Sequence, residues 1–343
     1  MDEHLHPSTL GEILDRTARL YRARFLVFLG IGSFPLLILL AYAGFIAVLA
    51  TWAGTGGQRK PVPPSDLAIG FIILGGMGLI ALIAFLAVSA LAALAMNHAA
   101  ARAFLGQSFT IRDSCTAAWR RGWRAIGLYA VQTVAIWVLP TGAWVVLTLI
   151  SAGLGALIAG SGIGGAGLVV LIEFLVFAGL VVYGFWMALQ LSLAFPALVV
   201  EQSGAWVALK RSFTLAKGTR GRILLLYLLC AALSWILSIA ILFPVLIGMA
   251  LIPGSNSPQH AQTAGVIMAL VVYGSMFVVQ AFTRPVYGIA LMLFYYDQRI
   301  RLEGFDIEWM MLKAGLIVPT DAQTKAKPWA ASVSSIEPAP PNT

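Results

Sequence analysis

Six stretches of this chain are too long and too apolar to belong to the core of a soluble domain, and together they dictate its solvent. Phe25 to Thr51, Leu67 to Met96, Ala125 to Leu157, Leu168 to Val200, Ile223 to Ile252 and Ala264 to Tyr296 all exceed the span of hydrocarbon that must be crossed. A helix rising about 1.5 Å per residue needs about 20 residues to cross roughly 30 Å. Backbone N–H and C=O groups find no water in lipid, so a spanning segment must satisfy them within itself, and helix is the state these runs predict. A membrane barrel strand would instead show alternation over about ten residues, a pattern these segments lack. Composition agrees: 10% of the residues are charged, against about a quarter in a soluble domain, and 60% are hydrophobic. The expected fold class is therefore all-α, a polytopic membrane bundle of six transmembrane helices arranged as three hairpins. Pro35, Pro140, Pro196, Pro244 and Pro285 are placed to bend the overlong spans.

The first apolar run is read as a retained span. It is longer than the roughly 7 to 15 residue core of a signal peptide, and 24 residues precede it. Two cysteines, Cys115 in a basic segment and Cys230 in an apolar one, make no disulfide framework.

Charge placement predicts orientation. Of the 22 lysines and arginines, 19 fall in residues 1–24, 97–124, 201–222 and 297–343; Arg59, Lys60 and Arg284 are the others. Lysine and arginine accumulate on the cytoplasmic side, so both termini are expected there, with three hairpins pointing outward. The formal net charge of +8 is accordingly expected to face phospholipid headgroups, with no nucleic-acid partner.

The basic segments have helical periodicity. Before span one, Leu10, Ile13, Leu14, Thr17 and Tyr21 follow a 3.6-residue repeat, while Glu12, Asp15, Arg16, Arg19 and Arg22 fill the other face. Thr9 and Glu12 form a capping box, each side chain reaching the other residue's free backbone N–H. Before span three, Ile111, Cys115, Ala118, Trp119, Gly122 and Trp123 oppose Arg112, Asp113, Arg120, Arg121 and Arg124, with Thr110 and Asp113 as the cap. Before span five, Trp206, Leu209, Phe213 and Ala216 form the apolar stripe beside Lys210, Arg211, Thr214 and Lys217, and Gly218 to Gly221 break the helix. Each hairpin is thus preceded by a basic amphipathic interfacial helix. This predicts a membrane domain over residues 1–312 with repeat units of approximately 8–97, 108–200 and 203–296. A shared Phe-x-Ile in Phe109 to Ile111 and Phe305 to Ile307 echoes the repeat. The stretch 313–343, rich in Pro, Ala, Ser and Thr from Pro319 onward, is expected to be a disordered cytoplasmic tail.

Candidate lipid-headgroup contacts are Arg16, Arg19, Arg22, Arg120, Arg121, Arg124, Lys210, Arg211 and Lys217. The ordinary role of such clusters is anchoring and topology; the sharper one is recognition of anionic lipid, at about 1 kcal/mol per charge. Candidate membrane-embedded polar residues are Glu173, Gln190, Gln280 and Arg284, with Gln132 beside them. Their ordinary roles are interhelical hydrogen bonding for the amides and an interfacial position for the two charges. Gly75, Gly76, Gly78, Gly153, Gly155 and Gly160 suggest close helix packing.

Catalytic signatures are missing from the sequence. It has no nucleophile elbow, phosphate loop, metalloprotease helix or dinucleotide fingerprint, and the glycine-rich Ser161 to Gly167 reads as an outer turn. Glu3, His4 and His6 are a weak metal-binding combination on a terminus, so no metal and no cofactor are expected.

Three motifs carry a family resemblance. Leu10-Gly-Glu-Ile-Leu-Asp15 continuing to Arg19-Leu-Tyr21 and Phe25, Ala208-Leu-Lys-Arg-Ser212 continuing to Lys217-Gly218, and Tyr295-Tyr-Asp-Gln-Arg-Ile-Arg301 with Glu303-Gly-Phe-Asp306 resemble the bacterial glycerophosphoryl diester phosphodiesterase membrane domain family. The resemblance extends to about Leu312. It implies a multi-pass protein of the bacterial cytoplasmic (inner) membrane, and a membrane module without the catalytic barrel, since no His-Arg-Gly stretch with following metal-binding acids is present. The function expected is that of a non-enzymatic module interacting with membrane lipids, anionic ones among them, or organising a membrane protein partner. The alternatives are a transporter or channel for a small or amphiphilic solute and, third, an enzyme of lipid metabolism.

Overall fold

The computed structural model describes residues 7–55, 64–158, 164–250, 258–313 and residue 316. Glu3, His4, His6, Gly160 and most of the tail expected to be disordered lie outside the described residues. In chain order the helices are α1 (Leu10–Ala23), α2 (Phe25–Thr55), α3 (Pro64–Phe104), α4 (Ile111–Arg120), α5 (Gly122–Thr133), a π-helical turn (Val134–Val138), α6 (Leu139–Ile158), α7 (Gly164–Leu191), α8 (Ala194–Val200), α9 (Ala205–Ala216), α10 (Arg220–Ala250), α11 (Pro258–Glu303) and α12 (Phe305–Lys313). No strand occurs among the described residues. Six helical segments are long and apolar enough to cross a membrane, matching the six apolar runs one for one. The chain is an all-helical, multi-pass membrane protein of three hairpins, with α1, α4 and α9 as the basic amphipathic helices ahead of them.

The helix starts follow from side-chain chemistry. Thr9 accepts from the Glu12 backbone N–H while Glu12 accepts from that of Thr9, at 3.3 and 2.9 Å. Thr110 and Asp113 repeat this reciprocal pair at 3.2 Å in each direction. Each box satisfies donors that the first turn leaves without intrahelical partners. α9 differs: Gly204 caps it without a side-chain bond.

Residues 1–122 and 225–310 form one compact unit, and residues 123–224 with 311–343 form another. In the first, α11 is the central helix: 56% of its most apolar stretch is buried, twice the share in α2 or α3. α2 and α3 approach it through missing side chains. A Cβ on Gly32 would meet Pro285 Cγ at 2.9 Å, and one on Gly288 would meet Met96 Cγ at 2.8 Å. Among the clustered glycines, Gly78 also permits a close approach, since a Cβ there would meet the Tyr42 hydroxyl at 2.7 Å, whereas Gly75, Gly76 and Gly153 have nothing within 4 Å. Of the clustered glycines the sequence suggests, Gly78 permits packing and Gly75, Gly76 and Gly153 do not.

One end of this unit is cemented by rings. Phe28 packs on Phe109 and on Tyr21, and Phe104 stacks on Tyr296 at 4.7 Å. The echoed phenylalanines occupy equivalent settings. Phe109 and Phe305 are both buried, a left-handed glycine precedes each (Gly106 at φ 72°, three residues before Phe109, and Gly304 at φ 64°, directly before Phe305), and each lies under an arginine, Arg24 and Arg299.

In the second unit, proline shapes two spans. Pro140 has no N–H for the Ile136 carbonyl four residues back, and the helix widens to a π turn immediately before it. Gly184 of α7 faces that carbonyl closely, since a Cβ there would lie 3.2 Å from the oxygen. Pro196 acts likewise on α7, which stops at Leu191 and resumes as α8. The carbonyls exposed by the break are taken up by side chains: Gln132 Nε2 donates to Leu191 O at 2.7 Å, and Ser212 Oγ to Gln190 O at 2.6 Å. Gln132 is thus interhelical glue for a broken span.

Candidate functional site

On α4 and α9 the face turned to the protein carries the smaller residues near the apolar stripe and not its aromatics, whereas α1 keeps its stripe inward. In α4 the buried residues are Ser114 and Ala118, while Cys115 and Trp119 are exposed, Trp119 by 77%; Trp123, at the start of α5, is 87% exposed. In α9, Ala208, Leu209, Ser212, Leu215 and Ala216 are buried, and Trp206 and Phe213 face out. Small residues let each helix lie close against its own unit, leaving the large aromatics for the surrounding medium. Indole rings beside cations are the side chains that suit the water–hydrocarbon boundary.

The nine basic candidates divide by environment. Arg22, Arg120, Arg124, Lys210 and Lys217 are exposed. Arg19 pairs with Asp15 at 3.2 Å on an open surface, a contact that leaves the cation available because such pairs contribute little. Lys210 Nζ sits 5.8 Å from the Trp206 ring centroid, which keeps it at the outward aromatic face. Arg16 and Arg121 are half-buried and engaged with other groups. Arg211 is bound to Glu201 at 2.7 Å, with both side chains largely buried, so its charge is committed to holding α9 against the end of α8.

At the α4 cap, the Thr110 hydroxyl donates to the Asp113 carboxylate at 2.6 Å, and this bond holds the Asp113 carboxyl below its ordinary range.

The embedded polar residues fall into separate places. Glu173 on α7 accepts from the Ser151 hydroxyl on α6, so that carboxylate is tied to its neighbouring helix. Gln190, at the break of the same span, is buried, and its side-chain oxygen has no hydrogen-bond partner among the described residues. Both belong to the second unit. Gln280 and Arg284, one helical turn apart on α11, come together in the first unit, in the wall of a groove of about 750 Å³.

This groove lies between α2, α3, α10 and α11. α10 makes few close backbone approaches to α11, although Tyr227 and Tyr287 join the two helices at one level with ring centroids 4.7 Å apart. The space beyond that contact is the groove. Leu36, Leu39 and Leu40 of α2 supply an apolar wall, and Phe85 of α3 puts its ring centroid 5.9 Å from the Arg284 guanidinium carbon. α10 contributes Trp235 with Ser234 and Ser238, whose hydroxyls donate to Cys230 O and Ser234 O of their own helix. α11 adds Tyr273, whose position is one helical stripe with Gln280 and Arg284. The result is an apolar trough with one cation and one amide on a single wall.

A second polar cluster ends α11. The Asp297 carboxylate, 3% exposed as a residue, accepts from the Ser8 backbone N–H at 2.7 Å, from Arg301 Nε at 3.0 Å and from Gln298 Nε2 at 3.3 Å. Arg301 Nη2 returns a bond to Ser8 O at 2.8 Å. Arg299 pairs with Glu303 at 3.0 Å and lies 4.7 Å from the Phe305 ring. The Tyr-Tyr-Asp-Gln-Arg-Ile-Arg motif is therefore the clamp that fastens the start of α1 to the end of α11. Periodicity alone passed over Asp297 and Ser8; the signal for them is an acid in an otherwise apolar and basic run.

Among the described residues no group of three or more His, Cys, Asp or Glu is arranged to hold a metal ion. Comparisons with protein-family models, curated proteins and solved structures find no match.

Proposed function

We propose that this protein is a non-enzymatic, lipid-interacting module of the bacterial inner membrane, with both termini cytoplasmic and three basic interfacial helices gathering acidic phospholipid headgroups. The observation that carries this reading is the pairing, on α4 and α9, of exposed lysine and arginine with outward-facing tryptophan. A cation near an acidic leaflet gains about 1 kcal/mol, and an indole anchors at the same depth. The repeated hairpin plan and the resemblance to the phosphodiesterase membrane domain family support the same reading of a membrane module.

The test is the lipid that travels with the protein. Wild-type protein purified in mild detergent is expected to retain phosphatidylglycerol in preference to phosphatidylethanolamine, as read by lipid mass spectrometry. A variant with Arg120, Arg124, Lys210 and Lys217 all changed to Gln is expected to lose that preference, by up to several hundredfold at about fivefold for each of the four charges. An unchanged lipid ratio in the folded variant would overturn the headgroup reading. A stoichiometric protein retained in place of lipid would instead support the partner-organising form.

A second reading, transport of a small or amphiphilic solute, is favoured by Arg284, a cation placed well inside a span. Equal flux from vesicles carrying wild-type protein and the Glu173→Gln, Arg284→Ala double variant, across a broad solute panel, would count against it.

A further inference from the structure

We infer that the groove between α2, α3, α10 and α11 is a binding site for an acidic amphiphile, a molecule with an aliphatic chain and a carboxylate or phosphate end. Arg284 and Gln280 hold the acid, and the chain lies along the leucine and aromatic walls. The inference is independent of the interfacial helices, because none of their cations lines the groove.

Depth comes first. Arg284 lies thirteen residues after Val271 and thirteen before Asp297, about 20 Å along the helix from either. Its guanidinium is therefore far from both ends of the span. An intramembrane cation marks a pathway or ligand site by default, and Arg284, although already engaged within the protein, carries a fork of five N–H groups. Nearby side chains already treat this position as cationic, since the Phe85 ring presents itself to the guanidinium.

Shape comes next. Tyr273, Met276, Gln280 and Arg284 line the groove over eleven residues of α11, about 16 Å of length. That suits a chain lying parallel to the helix better than a compact solute. The volume of about 750 Å³ is in the range of a ligand site. The charge is one-sided: Arg284 and Gln280 offer N–H donors at one end of this stripe and the Tyr273 hydroxyl stands at the other, while Leu36, Leu39 and Leu40 offer only apolar surface and Trp235 a ring with a single indole N–H. Ser234 and Ser238 spend their protons on their own helix, and the one cationic donor for an anion comes from α11.

Access identifies the occupant. Leu39, Trp235, Tyr273 and Met276 line the groove and are also exposed on the protein surface, at 44%, 72%, 57% and 56%. At the depth of the spans that surface faces hydrocarbon. A polar solute would have to cross lipid to reach such a mouth, whereas an amphiphile is already dissolved there. Charge complementarity with Arg284 then selects the acidic member of that class. A guanidinium binds a carboxylate or phosphate through a planar fork, strongly where water is excluded.

The experiment uses the full chain in a neutral detergent with two photoactivatable probes of equal length, a diazirine-bearing sixteen-carbon fatty acid and the matching alcohol. The acid is expected to label groove residues about tenfold more efficiently than the alcohol, reflecting a charge-assisted pair. Arg284→Gln should erase that preference, Arg284→Lys should keep most of it, and Ala231→Phe, which fills the groove from α10, should abolish labelling by both. Each variant is compared only when its thermal unfolding matches wild type; if Arg284→Gln does not fold, Gln280→Leu and Ala231→Phe carry the comparison. Displacement of the probe by unlabelled fatty acid assigns a carboxylate ligand, and displacement by a lysophosphatidic acid assigns a phosphate one. Equal labelling by acid and alcohol, label outside the groove, displacement by neither competitor, or a preference that survives Arg284→Gln would each overturn the inference.

Discussion

Asp297 should be the most expensive single carboxylate in the first unit to remove. The substitution Asp297→Ala deletes the acceptor of the Ser8 backbone N–H, at 2.7 Å, and of Arg301 Nε, at 3.0 Å, in a place where the aspartate side chain is 2% exposed. A hydrogen bond to a charged group contributes about 1.5–3 kcal/mol, and the buried Ser8 amide cannot recover it from water. The Arg301 side chain is 37% exposed, so water screens its part to about 0.5–1 kcal/mol. The expected total is about 2–4 kcal/mol, below the 3–5 kcal/mol range at its upper end because one partner is half solvated. Since Ser8 lies just ahead of α1, the loss should appear there first. Amide hydrogen exchange in α1 should accelerate by about 30-fold or more, at roughly 1.4 kcal/mol per factor of ten. Asp297→Asn keeps an oxygen for Ser8 and should cost about 1 kcal/mol. Arg301→Ala removes a partly solvated cation and should also cost about 1 kcal/mol. Wild-type exchange rates for α1 in Asp297→Ala, or a larger effect from Arg301→Ala than from Asp297→Ala, would refute the reasoning that this acid is the centre of the clamp.

Three further outcomes follow from named contacts. Gly32→Ala should destabilise the detergent-solubilised protein by about 1–3 kcal/mol, because the methyl meets the rigid Pro285 ring, while Gly76→Ala should be neutral or slightly stabilising; equal melting temperatures for the two would contradict the packing described. Gln132→Leu and Ser212→Ala should each cost about 1 kcal/mol by uncovering carbonyls at the α7–α8 break, and a double variant no worse than either single would show that the two side chains do not act on separate oxygens. Asp113 should titrate below its ordinary value of 3.8 in carboxyl-carbon NMR. Because its folded value is depressed, its stabilisation of the α4 start is complete above the unfolded value and is lost as pH falls through the folded one. Below about pH 4 the cap should loosen, and Asp113→Asn should remove that dependence; a midpoint at or above the ordinary value would dismiss the Thr110 bond as its cause.

How far the sequence reaches can be seen in the interfacial helices. Thr9 with Glu12 and Thr110 with Asp113 act between residues three apart, and the structure forms both boxes. The stripe on α1 also holds, with Ile13 and Thr17 buried. On α4 the periodicity identifies an amphipathic helix but cannot say which face meets protein, because an apolar stripe at a membrane boundary is satisfied equally by lipid. Trp119 takes the lipid-suited side and Ser114 takes the protein side. Arg211 shows the same limit for charge: beside Lys210 it reads as one of a pair of surface cations, and only the approach of Glu201 commits it.

The spans make the division sharper. Their number, length and helical state are determined by the sequence alone, since twenty or more apolar residues have one way to satisfy their backbone in hydrocarbon. Their facing is not, because a helix apolar all round carries no periodic signal separating buried sides from lipid-exposed ones. Tertiary structure alone decides that α11 is central while α7 remains open to its surroundings, and that Gly32 rather than Gly76 meets another helix. It also decides that Gln280 and Arg284 share a groove with residues 36 to 40 and 234 to 238, while Glu173 binds Ser151. These are relations between residues distant in sequence, set by helix packing, and in a chain dissolved in lipid no local pattern encodes them.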